Sequence, residues 1–159
     1  MSTLENTPST QTRREFCALA CQAASVLAAG IATACGGGQT GPSGGSAPAA
    51  PVLNGTVAGR TISVSVDGTA LATTGNGALV QTSLGSFLLA RTGQDTFNAM
   101  TAICTHENNL VTGFSGGRFV CNVHGSEFST SGNAVAGPAR GTLRQYAAAF
   151  ANGVVTFTV

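Results

Sequence analysis

Alternation of apolar and small polar residues predicts short β-strands along the chain from residue 60 onward. Residues 61–66, Thr-Ile-Ser-Val-Ser-Val, alternate with period two and are followed by Asp67-Gly68. This pattern predicts a half-buried strand that ends at a turn. Residues 97–103 alternate again, and further short strands are predicted over residues 78–82, 86–90, 119–120, 146–151 and 154–159. The last two flank Asn152-Gly153, a strong signal for a two-residue hairpin. No stretch beyond residue 36 has convincing helical periodicity, so the pattern predicts an antiparallel all-β domain.

The first part of the chain has the pattern of an export signal. A polar start is followed by Arg13-Arg14 and then by an alanine-rich apolar run over residues 17–34. The paired arginines resemble the twin-arginine pattern, which exports proteins that have already folded. We therefore expect the domain to lie outside the cytoplasm, in the periplasm or at the outer face of the cytoplasmic membrane.

The end of this apolar run indicates how the protein is held at the membrane. Ala32-Thr33-Ala34 has the small-residue pattern of a cleavage site and stands directly before Cys35. Cys35 would then be the first mature residue and would carry a lipid, as in bacterial lipoproteins. Residues 17–34 contain only four large aliphatic side chains, which makes an uncleaved anchor helix the second choice and full release the third.

Composition divides the chain into three segments. Residues 1–35 form the signal or membrane-anchor segment, residues 36–54 a Gly/Pro/Ser-rich linker, and residues 55–159 the folded domain. The linker is predicted to act as a flexible spacer between the membrane and the domain. The net charge is +1, and there is no lysine. Because the arginines form no basic stripe, we expect no nucleic-acid partner.

The clearest chemistry lies in two cysteines and two histidines between residues 104 and 124. They form two mixed pairs, Cys104-x-His106 and Cys121-x-x-His124, with 14 residues between the pairs. The chain has no other histidine, and its other three cysteines all lie at or before residue 35. A disulfide between the two cysteines would leave both histidines unexplained, so the pattern predicts a metal site.

Zinc and an iron–sulfur cluster are the two metal centres that suit this ligand set. Zinc binds two cysteines and two histidines tetrahedrally, but zinc fingers usually place the cysteines in one loop and the histidines in another. Here each loop is mixed, which favours a two-iron cluster with both thiolates on one iron and both imidazoles on the other. The alternative is a zinc-stabilised binding module without a redox role.

The two loops resemble the Rieske [2Fe–2S] motif. The resemblance rests on Cys104-Thr105-His106 and Cys121-x-x-His124-Gly125-Ser126, and Gly137-Pro138-Ala139 is similar to the proline loop that covers the cluster in this family. It implies an antiparallel β-sandwich with a small cluster-binding subdomain. It also implies a [2Fe–2S] cofactor, with the metal ligands Cys104, His106, Cys121 and His124 and the further cluster-binding residues Thr105, Gly125, Ser126 and Pro138.

Two departures from the quinol-oxidising members of the family change the expected partner. Those members have an additional cysteine in each loop, and the two form a disulfide; the matching positions here are Asn109 and Val123, so that bridge cannot form. We expect polar packing, for example by the Asn108 and Asn109 side-chain amides, to brace the loop instead. Glu107 stands where a leucine is common, and a carboxylate is costly to bury in an apolar quinol pocket.

Two further positions bear on the redox potential. Ser126 matches a serine that donates a hydrogen bond to a bridging sulfide in high-potential members, whereas Phe128 replaces a tyrosine that bonds a ligand sulfur. Imidazole ligation gives Rieske centres potentials of roughly −150 to +300 mV. We expect a potential below the top of this window and above that of the ferredoxin-like members. The resemblance also implies that the potential depends on pH through the imidazoles.

The expected function is one-electron transfer outside the cytoplasm, by a carrier or a subunit of a membrane-associated oxidoreductase. Its partner would be another redox protein, such as a cytochrome or a larger oxidoreductase subunit. The iron–sulfur subunit of a cytochrome bc-type quinol-oxidising complex is the alternative within redox chemistry. We expect no catalytic site in this chain alone, because its mature part has no carboxylate triad for a mononuclear iron and no obvious nucleophile–base pair.

Overall fold

Strands and tight turns make up the part of the chain that the computed structural model describes, residues 46–159. In chain order the strands are β1 (Val52–Asn54), β2 (Thr56–Ala58), β3 (Thr61–Ser65), β4 (Gly77–Thr82), β5 (Gly85–Arg91), β6 (Phe97–Thr101), β7 (Gly113–Ser115), β8 (Arg118–Cys121), β9 (Ser126–Ser129), β10 (Ala134–Ala136), β11 (Gln145–Tyr146), β12 (Ala148–Ala151) and β13 (Val154–Thr158). One 3₁₀ turn, Ala70–Ala72, precedes β4. Within the described residues, no helix is long and apolar enough to cross a membrane. The predicted signal segment, residues 1–35, and linker residues 36–45 lie outside the described residues.

These strands form three sheets. The first has the order β1-β4-β5-β6-β11, the second β10-β9-β8-β7, and the third β12-β13-β3-β2. Neighbouring strands are antiparallel, except that β1 runs parallel to β4 at the edge of the first sheet. The predicted all-β fold is thus confirmed, with one parallel pair added.

The first and third sheets share one hydrophobic core. Ile62 and Val64 of β3 and Val155 and Phe157 of β13 point into it, and none is more than 2% exposed. Their neighbours along each strand are less buried, which is the alternation that predicts these strands. Phe87 of the first sheet meets Phe157 edge to face, with 5.4 Å between the ring centroids, an arrangement that aromatic pairs favour.

The opposite face of the first sheet forms a second core with the second sheet. Leu88 and Met100 of the first sheet pack there with Phe119 and Phe128 of the second, and all four are fully buried. Because the first sheet is covered on both faces, β4 and β5 contain continuous runs of buried residues in place of alternation. Both cysteines of the mixed pairs belong to this second core, so the surrounding side chains hold them in place.

The predicted strands are present, with changed ends and one division. The stretch 146–151 is divided between β11, which pairs with β6, and β12, which pairs with β13. Asn152-Gly153 joins β12 to β13 in a hairpin, as predicted. The hydrophobic pattern does not reveal the short strands β1, β2, β7, β9 and β10. In β9, one of the two buried residues is Ser126, so the apolar alternation is absent.

The structure differs from the prediction at the end of the linker. Residues 52–54, assigned to the linker by composition, form β1 and pair with β4. Just before them, Ala49 forms a bridge with Gly113, and Ala50 is only 3% exposed. Pairing of these backbone groups and burial of Ala50 offset the entropy lost on ordering the segment. The ordered domain therefore begins ahead of the predicted boundary at residue 55.

We predict that Phe157→Ala lowers the free energy of unfolding by about 3–5 kcal/mol, because it leaves a cavity in the core shared by the first and third sheets. Phe157→Leu retains most of the side-chain volume and should cost much less. Urea unfolding followed by circular dichroism measures both variants. Equal unfolding midpoints for the two would contradict the packing described for this core.

Candidate metal centre

The first of the two predicted ligand loops, residues 104–110, is held by its own backbone. The Cys104 N–H donates to the Asn109 carbonyl oxygen at 2.8 Å, and the Asn108 N–H donates to the Cys104 carbonyl oxygen at 3.0 Å. Asn108 has a φ of 57°, a left-handed conformation that asparagine adopts more readily than most residues. The loop is thus braced by backbone groups of Asn108 and Asn109, where the sequence suggested their side-chain amides.

The second loop, residues 121–125, forms the turn between β8 and β9. Cys121 and Ser126 face each other across these two strands, and the Gly125 N–H donates to the Cys121 carbonyl oxygen at 2.9 Å. The backbone N–H groups of Val123 and His124, which follow in this turn, act to lower the pKa of the Cys121 thiol and so favour its thiolate form.

The two cysteine side chains meet inside the protein. Cys104 and Cys121 are each 1% exposed, neither is in a disulfide, and both belong to the same buried cluster. Burial raises the pKa of the Cys121 thiol and the neighbouring Cys104 raises it further, whereas the amides of Val123 and His124 oppose the rise. A metal bound at the two sulfur atoms would displace the thiol protons and balance the charge of the thiolates.

The two imidazoles meet at the surface. The rings of His106 and His124 lie edge to face with 5.0 Å between their centroids, and their side chains are 30% and 43% exposed. Glu107 lies beside both rings. Its Oε2 is 3.5 Å from His124 Nδ1, and its Oε1 is 3.9 Å from His106 Nε2. The site therefore has an inner pair of thiols and an outer pair of imidazoles with a carboxylate at its edge.

A third segment, residues 137–141, is bonded to both loops; we call it the proline segment. The Ala139 N–H donates to the hydroxyl oxygen of Ser126 at 3.1 Å, and Ser126 is completely buried. The Thr105 hydroxyl donates to the Gly141 carbonyl oxygen at 2.8 Å. The proline segment thus joins the first loop to the second without a covalent bond. Because the Ser126 oxygen accepts from Ala139, its own hydroxyl hydrogen is available for donation.

Direct backbone contact fixes the proline segment against the second loop. Gly137 has a φ of 79°, and a Cβ built on it would lie 2.5 Å from the Gly125 carbonyl oxygen and 2.6 Å from Ser126 Cα. No side chain fits at that distance, so the approach requires glycine. Pro138 follows it and is partly buried. The residues that the sequence suggested for this segment therefore lie against the second loop.

These positions meet the requirements of a two-metal centre. Two thiols and two imidazoles come from two loops, and the thiols are buried whereas the imidazoles are exposed. Such a division by depth suits thiolate ligation of an inner iron and imidazole ligation of an outer iron.

Two features of the site could not be anticipated from spacing along the chain. Glu107 was expected at the tip of the first loop, but its approach to the second imidazole depends on how the two loops meet. The acceptor role of Ser126 toward Ala139 joins residues 13 positions apart. The only sequence signal for it is the glycine–proline pair just before Ala139.

Comparison with known proteins adds a family match. Residues 54–147 match the family described as Rieske [2Fe-2S] domain. No curated protein matches. One similar solved structure is the cyanobacterial plasma membrane Rieske protein PetC3 from Synechocystis PCC 6803, with 27% identity, 52% of this chain and 86% of that chain covered, and a TM-score of 0.47. Another is the Sphingomonas yanoikuyae B1 ferredoxin, with 16% identity, 72% of this chain and 99% of that chain covered, and a TM-score of 0.41.

We predict that Gly137→Ala separates the proline segment from the second loop, because the added Cβ meets backbone atoms that cannot turn aside. The melting temperature should fall, and alkylation of Cys121 in the metal-free protein, followed by mass spectrometry, should become faster. Gly117→Ala is the matched control. Gly117 has a similar φ of 73° and open space around it, so its substitution carries only the left-handed penalty of about 1–2 kcal/mol. Equal behaviour of the two variants would show that the contact is unimportant.

Proposed function

The chain belongs to the Rieske [2Fe–2S] family, and we propose that Cys104 and Cys121 bind one iron of its cluster while His106 and His124 bind the other. The observation that supports this assignment most directly is the convergence of the two loops. It pairs the thiols with each other in the interior and the imidazoles with each other at the surface.

The four side chains would divide the work of an electron carrier. When bound, the cluster supplies reversible one-electron chemistry at a potential raised by imidazole ligation. The buried cysteines keep water away from the inner end of the site. The exposed rings of His106 and His124 bring the outer end to the surface, so electrons would pass to and from a partner at these imidazoles.

Ser126 is the residue that we expect to raise the potential. Its oxygen is held by the Ala139 N–H, and this bond orients the hydroxyl so that its hydrogen can be donated within the buried site. A hydrogen bond to cluster sulfur withdraws negative charge and favours the reduced state. Phe128 has no hydroxyl and is completely buried, so it offers no second donor of this kind. We therefore propose a potential within the Rieske window but below its top.

The surface around the imidazoles favours a protein partner over a quinol. Glu107 lies beside both rings with 56% of its side chain exposed, and Val123 beside His124 is 53% exposed. Enclosing a carboxylate in an apolar quinol pocket would cost its hydration. At a protein interface, in contrast, it can remain at the hydrated rim or pair with a basic group. We propose a redox protein as partner, such as a cytochrome or a larger oxidoreductase subunit.

We further propose that the domain works outside the cytoplasm, held at the membrane by its N-terminus. This rests on the sequence alone: Arg13-Arg14, the apolar run over residues 17–34, and the small residues directly before Cys35. The anchor would be a lipid on Cys35 or an uncleaved helix. Either would leave the domain tethered near membrane-bound redox partners.

Purified protein is predicted to contain two irons and two sulfides and to give, after dithionite reduction, the rhombic EPR signal of a Rieske centre. Cys121→Ser or His124→Ala should abolish this signal, because each removes a proposed iron ligand. Cys35→Ser is the matched control, since it removes a cysteine outside the domain and should leave the spectrum unchanged. A colourless protein that contains zinc would overturn the assignment.

Ser126→Ala is predicted to lower the midpoint potential by roughly 60 mV, the equivalent of a tenfold change in a one-electron equilibrium constant. The expected cause is loss of the hydroxyl donor to the cluster. Ser129→Ala is the control, because Ser129 lies at the other end of β9, where its hydroxyl contacts Ser131. Redox titration monitored by visible circular dichroism measures each potential. An unchanged potential in Ser126→Ala would mean that Ser126 has only a structural role.

A further inference from the structure

We propose that Asn122 is a positioning residue, which holds the second ligand loop by clasping the extended segment that leads into the domain. We call this segment, residues 46–51, the strap. The proposal rests on the ligand roles proposed above for Cys121 and His124, because Asn122 lies directly after one and two positions before the other. It assigns the bracing of this loop to a side-chain amide, in a chain that has Asn109 and Val123 in place of the additional cysteines of the quinol-oxidising members.

The amide of Asn122 makes two hydrogen bonds to a single residue of the strap. Its Oδ1 accepts from the Ala47 N–H at 2.9 Å, and its Nδ2 donates to the Ala47 carbonyl oxygen at 3.1 Å. We call this two-bond pairing the clasp. It satisfies both backbone groups of Ala47 in the way a neighbouring strand would, although 75 positions separate the two residues. Rotation of the Asn122 side chain breaks both bonds at once.

The strap is itself fixed to the second sheet, so the clasp holds the loop to a rigid element. The Ala50 N–H donates to the Thr112 carbonyl oxygen at 2.7 Å, and the Phe114 N–H donates to the Pro48 carbonyl oxygen at 2.9 Å. Ala50 is 3% exposed. Hydrogen bonds on both sides of Ala49 thus dock the strap along β7. The second loop is therefore tied back to the edge of the sheet that carries it.

Gly113 leaves the space in which the clasp closes. A Cβ built on Gly113 would lie 3.0 Å from Ala47 Cβ and 3.1 Å from both Nδ2 and Oδ1 of Asn122. Gly113 has an ordinary φ, so the close approach of these two residues, and not its backbone conformation, disfavours a side chain here. An alanine at this position would act as a wedge between Ala47 and Asn122.

The clasp acts on the loop through its backbone. Asn122 lies inside the turn that the Gly125 N–H closes by donating to the Cys121 carbonyl oxygen at 2.9 Å. If Asn122 is released, this turn can open around Cys121. The strap, at the start of the ordered domain, is therefore part of the support of the ligand loop.

The test compares full-length Asn122→Ala, Gly113→Ala and the double variant with the wild type. The first readout is the rate at which the visible absorption is lost in excess ferrous-iron chelator. If the two hydrogen bonds of the clasp stabilise the loop by about 1–2 kcal/mol, their removal should accelerate the loss of absorption about fivefold to thirtyfold. Asn98→Ala is the matched control, because Asn98 makes a comparable side-chain bond to the Thr130 carbonyl oxygen, on a residue outside the two ligand loops. It should change the chelation rate little.

The second readout does not need the cluster. In metal-free protein, Asn122→Ala should accelerate hydrogen exchange of the Ala47 amide and alkylation of Cys121. The Ala50 amide should stay protected, because its acceptor is on Thr112. When the Asn122 side chain is absent, the methyl group added by Gly113→Ala no longer has the Asn122 amide to displace. The double variant should therefore lose absorption at nearly the rate of Asn122→Ala alone.

The outcomes separate this inference from the proposed function. If the wild type contains the cluster and Asn122→Ala loses it no faster than the wild type or Asn98→Ala, the clasp is not a brace and the inference is wrong. Additive effects of Gly113→Ala and Asn122→Ala would also overturn it, because independent sites do not share a contact. If the wild type contains no iron, the proposed function fails, and exchange at Ala47 with alkylation of Cys121 still decides whether Asn122 holds the loop.

Discussion

The candidate metal centre depends on holding two loops together without a covalent bond between them. The proline segment does this by accepting a hydrogen bond from Thr105 in the first loop and donating one, from Ala139, to Ser126 at the end of the second. The close contact of Gly137 with the second loop leaves no room for a side chain between the two segments. Most of these contacts join backbone to side chain or backbone to backbone, so the shape of the site is set by three segments of main chain. The core beneath them, which includes both cysteines, supplies the rigidity.

The same arrangement produces the polarity that electron transfer requires. Thiols that were equally exposed would be open to oxidation and water, whereas imidazoles that were equally buried would be out of reach of a partner. The fold avoids both by placing the cysteines in the second core and the histidines on the surface beside a carboxylate. Sequence departures from the quinol-oxidising members of the family then acquire a physical meaning. Glu107 places an exposed carboxylate beside both imidazoles, and the proposal of a protein partner rests on it.

The sequence predicts the longer strands and misses most of the short ones. β3 and β13 alternate because one face meets the core, and the Asn152-Gly153 turn marks where the hairpin folds back. In contrast, the three residues of β1 have no recognisable strand pattern. They form a strand because they pair with β4, about 27 positions further along the chain. The composition of residues 46–54 resembles a linker, yet backbone pairing and burial of Ala50 make the segment part of the domain.

The candidate site divides in the same way. Cysteine and histidine are rare enough in this chain that spacing alone predicts the four candidate ligands as a group. Their support is a matter of long-range contacts, such as the pairing of Asn122 with Ala47, which no local pattern specifies. An asparagine within a turn usually satisfies its own backbone. Asn122 instead bonds to the strap, and it can do so because the strap is docked along β7.

A Mössbauer spectrum of the protein enriched in ⁵⁷Fe tests the central claim, that buried thiols and exposed imidazoles bind two different irons. In the oxidised protein we predict two ferric sites of equal area with different isomer shifts, because one iron has two thiolate ligands and the other has two imidazole ligands. After one-electron reduction, the ferrous component should appear at the imidazole-bound site. A single iron environment, or two identical ones, would contradict the account.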